Sequence, residues 1–340
     1  MTSRVPPSML DVADAAGVSA ATVSRALRGL PGVSRRTRER VLEAADELAY
    51  VVSPEASGLS RRATGRVAVV VPRLDSWFTA TTLSTIQGEL RSAGLDTLVY
   101  QVDDEAQRSE FFRELPSRRK SDAIILVALP LTAQEEDRID LIGVHVVISG
   151  GQVRDYPHAA VDDAETAVVA VEHLIGLGHR RIAMIRTSDT DGALWSSDVL
   201  RRRGYTETLA RHGLTMPEGY LATQQYGTRA GFLAMEELLA LPEPPTAVFC
   251  FSDEIAVAAR HCAVQRGLRV PQDVSIIGVD GHPLTELFGM STVCQNLVLQ
   301  TRTAARMALQ LVRDGGLPQP HVTIPTRLVV RDSTAPPPPG

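Results

Sequence analysis

Ala20, Ala21, Thr22, Ser24, Arg25 and Arg28 stand close together near the amino terminus and bring methyl groups, hydroxyls and guanidinium forks to one short stretch. Such a set matches the edges of base pairs in a DNA major groove, where a guanidinium forks onto guanine and a methyl touches thymine. Arg25 is the side chain best suited to reach a base edge. The elements that would present it can be read from apolar spacing. Leu10, Val12, Ala13 and Ala16 line one face of a first short helix, and Val23, Ala26 and Leu27 repeat at i, i+3 and i+4 in a second. Gly17 supplies the positive φ of a tight turn between them, and Ser19 can accept from the amides that open the second helix. Pro31-Gly32 breaks the chain, Ser34 caps a third helix, and Val41, Ala44, Ala45 and Leu48 give that helix a buried stripe. Three helices then share one core, with Ala20 to Arg25 turned outward as a helix-turn-helix reading face.

A single surface arginine is ordinarily just a solvated charge. The distribution of charge argues for more. Residues 1–66 hold ten arginines against seven acids, a balance of +3, and the remainder carries −8 toward the net charge of −5. A basic head on an acidic body suits phosphate binding by the head alone.

Beyond residue 66 apolar strand-like runs, at 67–71, 95–101, 123–129 and 144–148, then at 182–185, 221–225, 247–251 and 275–279, alternate with helical segments. Two such series predict two doubly wound parallel-sheet lobes. In open α/β sheets ligands sit beyond the carboxyl ends of the strands. The residues just after these runs include Trp77, Phe78, Trp195, Tyr226, Asp253 and Asp280. Only 4% of the chain is aromatic, and both tryptophans fall in these loops. Their chemistry is recognition: aromatic faces to cover a ring, carboxylates to take its polar edge.

Catalysis finds little support. No Cys-x-x-Cys, His-Glu-x-x-His or Gly-x-Ser-x-Gly occurs, and Lys120, the only lysine, follows Arg119 rather than the glycine of a phosphate loop. Gly176-Leu177-Gly178 fails as a dinucleotide fingerprint because Arg181 replaces the third glycine. Asp162-Asp163 reads as a strand-to-helix junction with a helix cap rather than a catalytic acid pair. The reading is therefore no enzyme, no cofactor and no metal.

Asp11-Val12-Ala13, Ala16-Gly17-Val18-Ser19, Thr22-Val23-Ser24-Arg25, Val33-Ser34, Thr37-Arg38 and Leu48-Ala49-Tyr50 form a long spaced pattern. Gly178-His179-Arg180-Arg181-Ile182, Pro245-Thr246-Ala247-Val248-Phe249 and residues 270–280 continue it. With these motifs the chain resembles the lactose/purine-repressor (LacI/GalR) family of bacterial transcription regulators to about Asp332. The resemblance implies a helix-turn-helix head at 8–52, a hinge at 53–65, a periplasmic-binding-protein-like bilobed body at 66–332, and lobe crossings near Asp162-Asp163, Thr292 to Asn296 and Pro325. It implies major-groove contacts from Ser19 through Arg25 and Arg28, and hinge helices pairing in the minor groove through Ala56 and a Leu59 wedge. Ser57 stands where an arginine is common, and Gly58 lowers helix propensity by about 1 kcal/mol. The hinge should thus fold only on DNA, with Arg61 and Arg62 supplying phosphate contacts. In the body the resemblance makes Trp77 and Phe78 a ring-stacking pair, Arg201 an effector-contacting arginine, Tyr226 a cleft aromatic, Asp280 a grip for polar groups, and Trp195 and Ser197 further pocket positions. Asp75-Ser76-Trp77-Phe78 and Gln295-Asn296 depart from the family's usual segments.

The implied protein is a homodimeric repressor of a pseudopalindromic DNA operator, controlled by a small effector, a sugar first and a nucleobase second. Rival readings are a solute-binding protein of a transport system, a sugar-processing enzyme with a fused regulatory head, and a regulator controlled by a protein partner. No membrane-length apolar run or signal-peptide segment is seen, and Cys250, Cys262 and Cys294 lack framework spacing, so a cytoplasmic, nucleoid-associated protein is expected. Residues 333–340, rich in proline, read as a disordered tail without the apolar heptads of a tetramer.

Overall fold

A computed structural model describes residues 7–27, 29–48, 50, 64–102, 104–118, 120–129, 131–153, 155–188, 196–227 and 229–338. The chain divides into two units, one up to Thr64 and one from Gly65 onward. The hinge segment 53–63, with Ser57, Gly58, Arg61 and Arg62, lies outside the described residues.

In the first unit, α1 (Met9–Ala16) opens on a capping box in which Ser8 and Asp11 satisfy each other's backbone amides, and it closes on Gly17 at φ 62°. Ser19 caps α2 (Ala20–Leu27) by accepting from Thr22 N at 3.2 Å. Ser34 does the same for Thr37 N at the start of α3 (Arg35–Glu47). Val12, Ala13, Ala16, Val23, Ala26, Val41, Ala44 and Ala45 form the shared core. Two placements differ from the sequence reading. Leu10 is 65% exposed, because Val12, Ala13 and Ala16 already fill the buried arc of so short a helix. Ala20 packs against the core instead of facing outward, since it lies three residues before Val23 on the same helix face.

The second unit begins with β1 (Arg66–Val71), α4 (Trp77–Ser92), β2 (Asp96–Gln101), α5 (Glu105–Arg118), β3 (Ala123–Val127), α6 (Ala133–Ile142), β4 (His145–Ser149) and β5 (His158–Ala160). It continues with α7 (Asp163–Gly176), β6 (Ile182–Ser188), α8 (Ser196–Arg211), β7 (Leu221–Gln225), α9 (Ala230–Leu239), β8 (Ala247–Cys250), α10 (Asp253–Gln265), β9 (Ser275–Asp280), α11 (Leu284–Leu287) and β10 (Ser291–Cys294). The last elements are α12 (Leu297–Asp314), β11 (His321–Thr323) and β12 (Arg327–Val329).

The strands form two six-stranded sheets, ordered β11-β5-β4-β3-β1-β2 and β12-β10-β9-β8-β6-β7. Every neighbouring pair is parallel except β10 with β12. Central strands are buried on both faces, which explains their unbroken apolar runs. In the first lobe one face packs under α4 and α12 and the other under α5 and α6. In the second, α9 and α10 cover one face, α7 and α8 the other. The chain changes sheets between β5 and α7, between β10 and α12, and between β11 and β12. These returns fall where the family resemblance implies them.

The expectation of a disordered tail is overturned for residues 333–338. Ser333 is buried, its Oγ donating to the Ile276 carbonyl at 2.6 Å and accepting from Ser291 N at 2.8 Å. The Ala335 carbonyl lies 2.8 Å from Nε2 of His179, a fully buried ring whose pKa burial lowers. The tail is ordered because it supplies partners that buried groups of the second lobe would otherwise lack. Proline content alone did not reveal those bonds.

Helices α7 and α8 approach closely enough that a β-carbon on Gly204 would strike the Ala164 carbonyl oxygen. Backbone cannot rotate away as a side chain can. Gly204→Ala should therefore lower stability to urea by about 1–3 kcal/mol through overpacking, despite the roughly 1 kcal/mol gain in helix propensity. Unchanged stability would mean that the two helices are free to separate.

Candidate functional site

In the first unit the Ser19 cap and Ala21 and Arg25 of α2 are exposed, with Thr22 and Ser24 half-buried beside them. Its outward face is short and carries one long cation, Arg25. Of the other DNA-facing residues expected from sequence, Arg28, Ala56 and Leu59 lie outside the described residues.

In the second unit a cavity of about 100 Å³ opens between the lobes, at the carboxyl ends of both sheets. Arg73 after β1, Ala128 after β3 and Gly150 after β4 reach it from one lobe. Tyr226 after β7, Phe251 after β8 and Asp280 at the end of β9 reach it from the other. Both sheets present their switch points, β1 and β6, to this crevice, the usual ligand position in a doubly wound sheet. The volume suits one compact ring more than the larger ligands that fill pockets of roughly 300–1,000 Å³.

Phe78, Ser197, Arg201, Tyr226 and Asp280 all line this cavity. Trp195 lies outside the described residues. Trp77 and Asp253 have other places. Trp77 turns its ring to His282, 4.7 Å between centroids, and its backbone amide donates to Glu254 Oε1 at 3.4 Å. It ties the two lobes at the rim, because the first turn of α4 points its side chain past the crevice rather than into it. Asp253 is buried at the start of α10, and its Oδ2 accepts from Gly281 N, His282 N and the Thr292 hydroxyl at 2.8–3.0 Å. Burial raises its pKa, and these donors oppose the rise. Asp253 thus braces the turn that carries Asp280.

Among the lining residues that the sequence reading of the site did not name, two pair with its charged groups. Asp163, set aside there as part of a capped junction, is fully buried beside Arg201, which places Nε at 2.9 Å and Nη2 at 2.8 Å from its Oδ1. Asp162 does make the cap, accepting from Glu165 N. A second consecutive acid was the available signal, since one cap needs only one. Burial raises the Asp163 carboxyl above the ordinary carboxylate range, and the Arg201 charge pulls it back. Arg201 also donates to the Phe251 carbonyl and lies 4.9 Å over that ring.

The second is Gln295, whose amide donates to Asp280 Oδ1 at 2.5 Å. Asp280 itself sits at φ 122°, a region costly for a non-glycine residue and typical of constrained sites. Burial first, then the nearby Asp253 and Glu254 carboxylates, push its pKa well above the usual value, with Arg201 opposing. Across the cleft Arg73 donates to the Tyr226 carbonyl at 3.0 Å and stacks 4.7 Å over its ring, while the Tyr226 hydroxyl donates to Glu254. The site is a set of donors and acceptors around aromatic faces. Among the described residues no His, Cys, Asp or Glu cluster could hold a metal ion.

Residues 8–53 match the model of bacterial regulatory proteins, lacI family, and residues 171–334 match a periplasmic binding protein-like domain. The chain is 31% identical to the HTH-type transcriptional repressor CytR of Escherichia coli over 331 residues, 96% of each protein. The chain belongs to the LacI family of bacterial regulatory proteins. It is a DNA-binding transcription regulator, as the helix-turn-helix head requires. Catabolite control protein A of Priestia megaterium is 28% identical, with 96% of this chain and 99% of that protein covered. Among solved structures, a complex of the transcriptional regulator CelR with cellobiose is 29% identical, with a TM-score of 0.70 over 96% of this chain and 99% of the other. The lac repressor dimer bound to operator, at 24% identity and a TM-score of 0.84 over 97% of this chain and 100% of that one, shares the fold. These relatives are transcription regulators. Among the described residues of this LacI-family chain, no helix is long and apolar enough to cross a membrane.

Removing the charge of Asp163 would leave Arg201 buried without its counter-ion. Asp163→Asn should cost about 3–5 kcal/mol of stability to denaturant, the range for breaking one side of a buried ion pair. A loss under about 1 kcal/mol would show that water already reaches the guanidinium.

Proposed function

We propose that this chain is a repressor that binds a pseudopalindromic operator as a homodimer and is controlled by a sugar or sugar derivative held between the lobes of its body. The observation that carries this reading is the interlobe cavity, where Asp280 and Gln295 meet Phe78 and Tyr226. Carboxylate and amide suit the hydroxyls of a small ring, and the aromatic faces suit its apolar side. Cellobiose in the CelR complex supports a sugar as the class. Ligand that bridges the lobes would favour their closed arrangement by its extra affinity for that state, with coupling of about 1–3 kcal/mol. Such a protein works in the cytoplasm, where the nucleoid is. A nucleobase fits the same aromatic faces and is the competing outcome.

In the head, Arg25 is proposed as the main direct reader, because Ala20 turns inward and Ala21 offers only a methyl. Ser19, Thr22, Ser24 and Arg28 would hold phosphates or shorter edges, and Ala56 and Leu59 would wedge the minor groove. Arg25→Ala should retain the fold and lose about 1–3 kcal/mol of discrimination between operator and a single-base variant in fluorescence anisotropy. Equal discrimination by the variant would remove Arg25 from base reading.

A further inference from the structure

Gln300 lies in the first turn of α12, its backbone amide donating to Asn296 O at 3.1 Å. Its side chain is fully buried, yet neither the amide nitrogen nor the amide oxygen has a hydrogen-bond partner. Such a group loses its hydration with nothing in exchange, whereas a methionine of like volume would fill the space without that loss. The hydroxyl of Ser149, also fully buried, is in the same condition. Ser149 is two residues beyond Val147, which packs in the layer under α12, so strand alternation turns Ser149 to that same layer.

The position of Gln300 relative to the cleft is fixed by Gly150. A methyl group placed on Gly150 would stand 3.2 Å from Gln300 Nε2, 3.5 Å from Phe78 Cζ and 3.8 Å from Ala128 Cβ. Gly150, Phe78 and Ala128 all line the interlobe cavity. Gln300 thus lies directly behind Gly150 and beside the tip of Phe78, two residues of the cavity wall. The space a Gly150 side chain would fill therefore lies within hydrogen-bond distance of the amide nitrogen.

Resting on the effector reading above, we propose that Gln300 is a specificity-determining residue that takes a hydroxyl of the effector sugar at the first-lobe end of the cleft, opposite Asp280. A hydroxyl both donates and accepts, so one such group, or a vicinal pair, satisfies the amide oxygen and nitrogen together. The consequence is a ligand polar at both edges, gripped by Asp280 and Gln295 on one side and by Gln300 on the other. A ligand with a bare apolar edge would leave the amide unpaired and bind weakly.

The test is calorimetric titration of the full chain with D-ribose, D-glucose, cellobiose and adenine, using the wild type, Gln300→Met and Asp280→Asn, together with the unfolding temperature of each free protein. The sugar that binds the wild type is expected to bind Gln300→Met at least tenfold more weakly, while the free variant unfolds at the same or a higher temperature. Equal affinity in Gln300→Met, with binding lost in Asp280→Asn, overturns the role of Gln300 and leaves the effector reading standing. Weaker binding accompanied by a lower unfolding temperature overturns it too, because the amide then serves the fold. Binding of adenine alone overturns the sugar. No binding of any of the four to the wild type overturns both the effector reading and this one.

Discussion

The body of this protein passes its chain between two sheets three times, and that constraint organises the rest. The crossings follow β5, β10 and β11, and two of them carry residues that line the cleft: Val161 and Asp163 at the first, Gln295 at the second. A residue at a crossing belongs to both lobes. Any rotation of one lobe on the other must therefore act on the groups that would hold a ligand, and a ligand must act on the rotation. Recognition and movement are linked by connectivity, before any particular contact is considered.

Buried charged groups of the second lobe are arranged as pairs. Arg201 is satisfied by Asp163 and the Phe251 carbonyl, and Arg186 by Asp198. Ion pairs so deeply buried contribute little net stability, because desolvation offsets their attraction, yet breaking one is costly. The Arg201–Asp163 pair thereby fixes geometry in the wall of the cleft. Burial favours the protonated form of all these acids, but Asp280 differs from the others in that its partner is an amide and its backbone is strained. At the rim, Trp77 with His282 and Arg73 with Tyr226 close the crevice using a tilted ring pair and a cation over a ring.

How much of this was legible in the sequence depends on how local each feature is. The head could be read almost completely, because Gly17, Ser19 and Ser34 act within three or four residues of themselves. Its two misplacements, Leu10 and Ala20, come from helices only eight residues long, on which one apolar arc can be drawn in more than one way. The six central strands β1, β3, β4, β6, β8 and β9 showed as apolar runs because both their faces are covered, whereas the edge strands β2 and β7 are only partly buried. Strands β5, β11 and β12, three residues each, gave no periodicity to read. Asp163, Asp253, Trp77 and the ordered tail were misjudged because their partners are remote in sequence: Arg201, Thr292, His282 and His179. The strand-end rule found the crevice, but it could not tell a residue that lines it from one that braces its wall.

The central claim is that the cleft and the DNA-binding head share one equilibrium. Fluorescence anisotropy of the full chain on labelled DNA from upstream of its own gene, with and without a saturating sugar that binds the cleft, measures that linkage directly. The sugar is expected to shift operator affinity at least fivefold while leaving nonspecific DNA binding unchanged, within the coupling range of about 1–3 kcal/mol. The same operator affinity at every sugar concentration would contradict that claim.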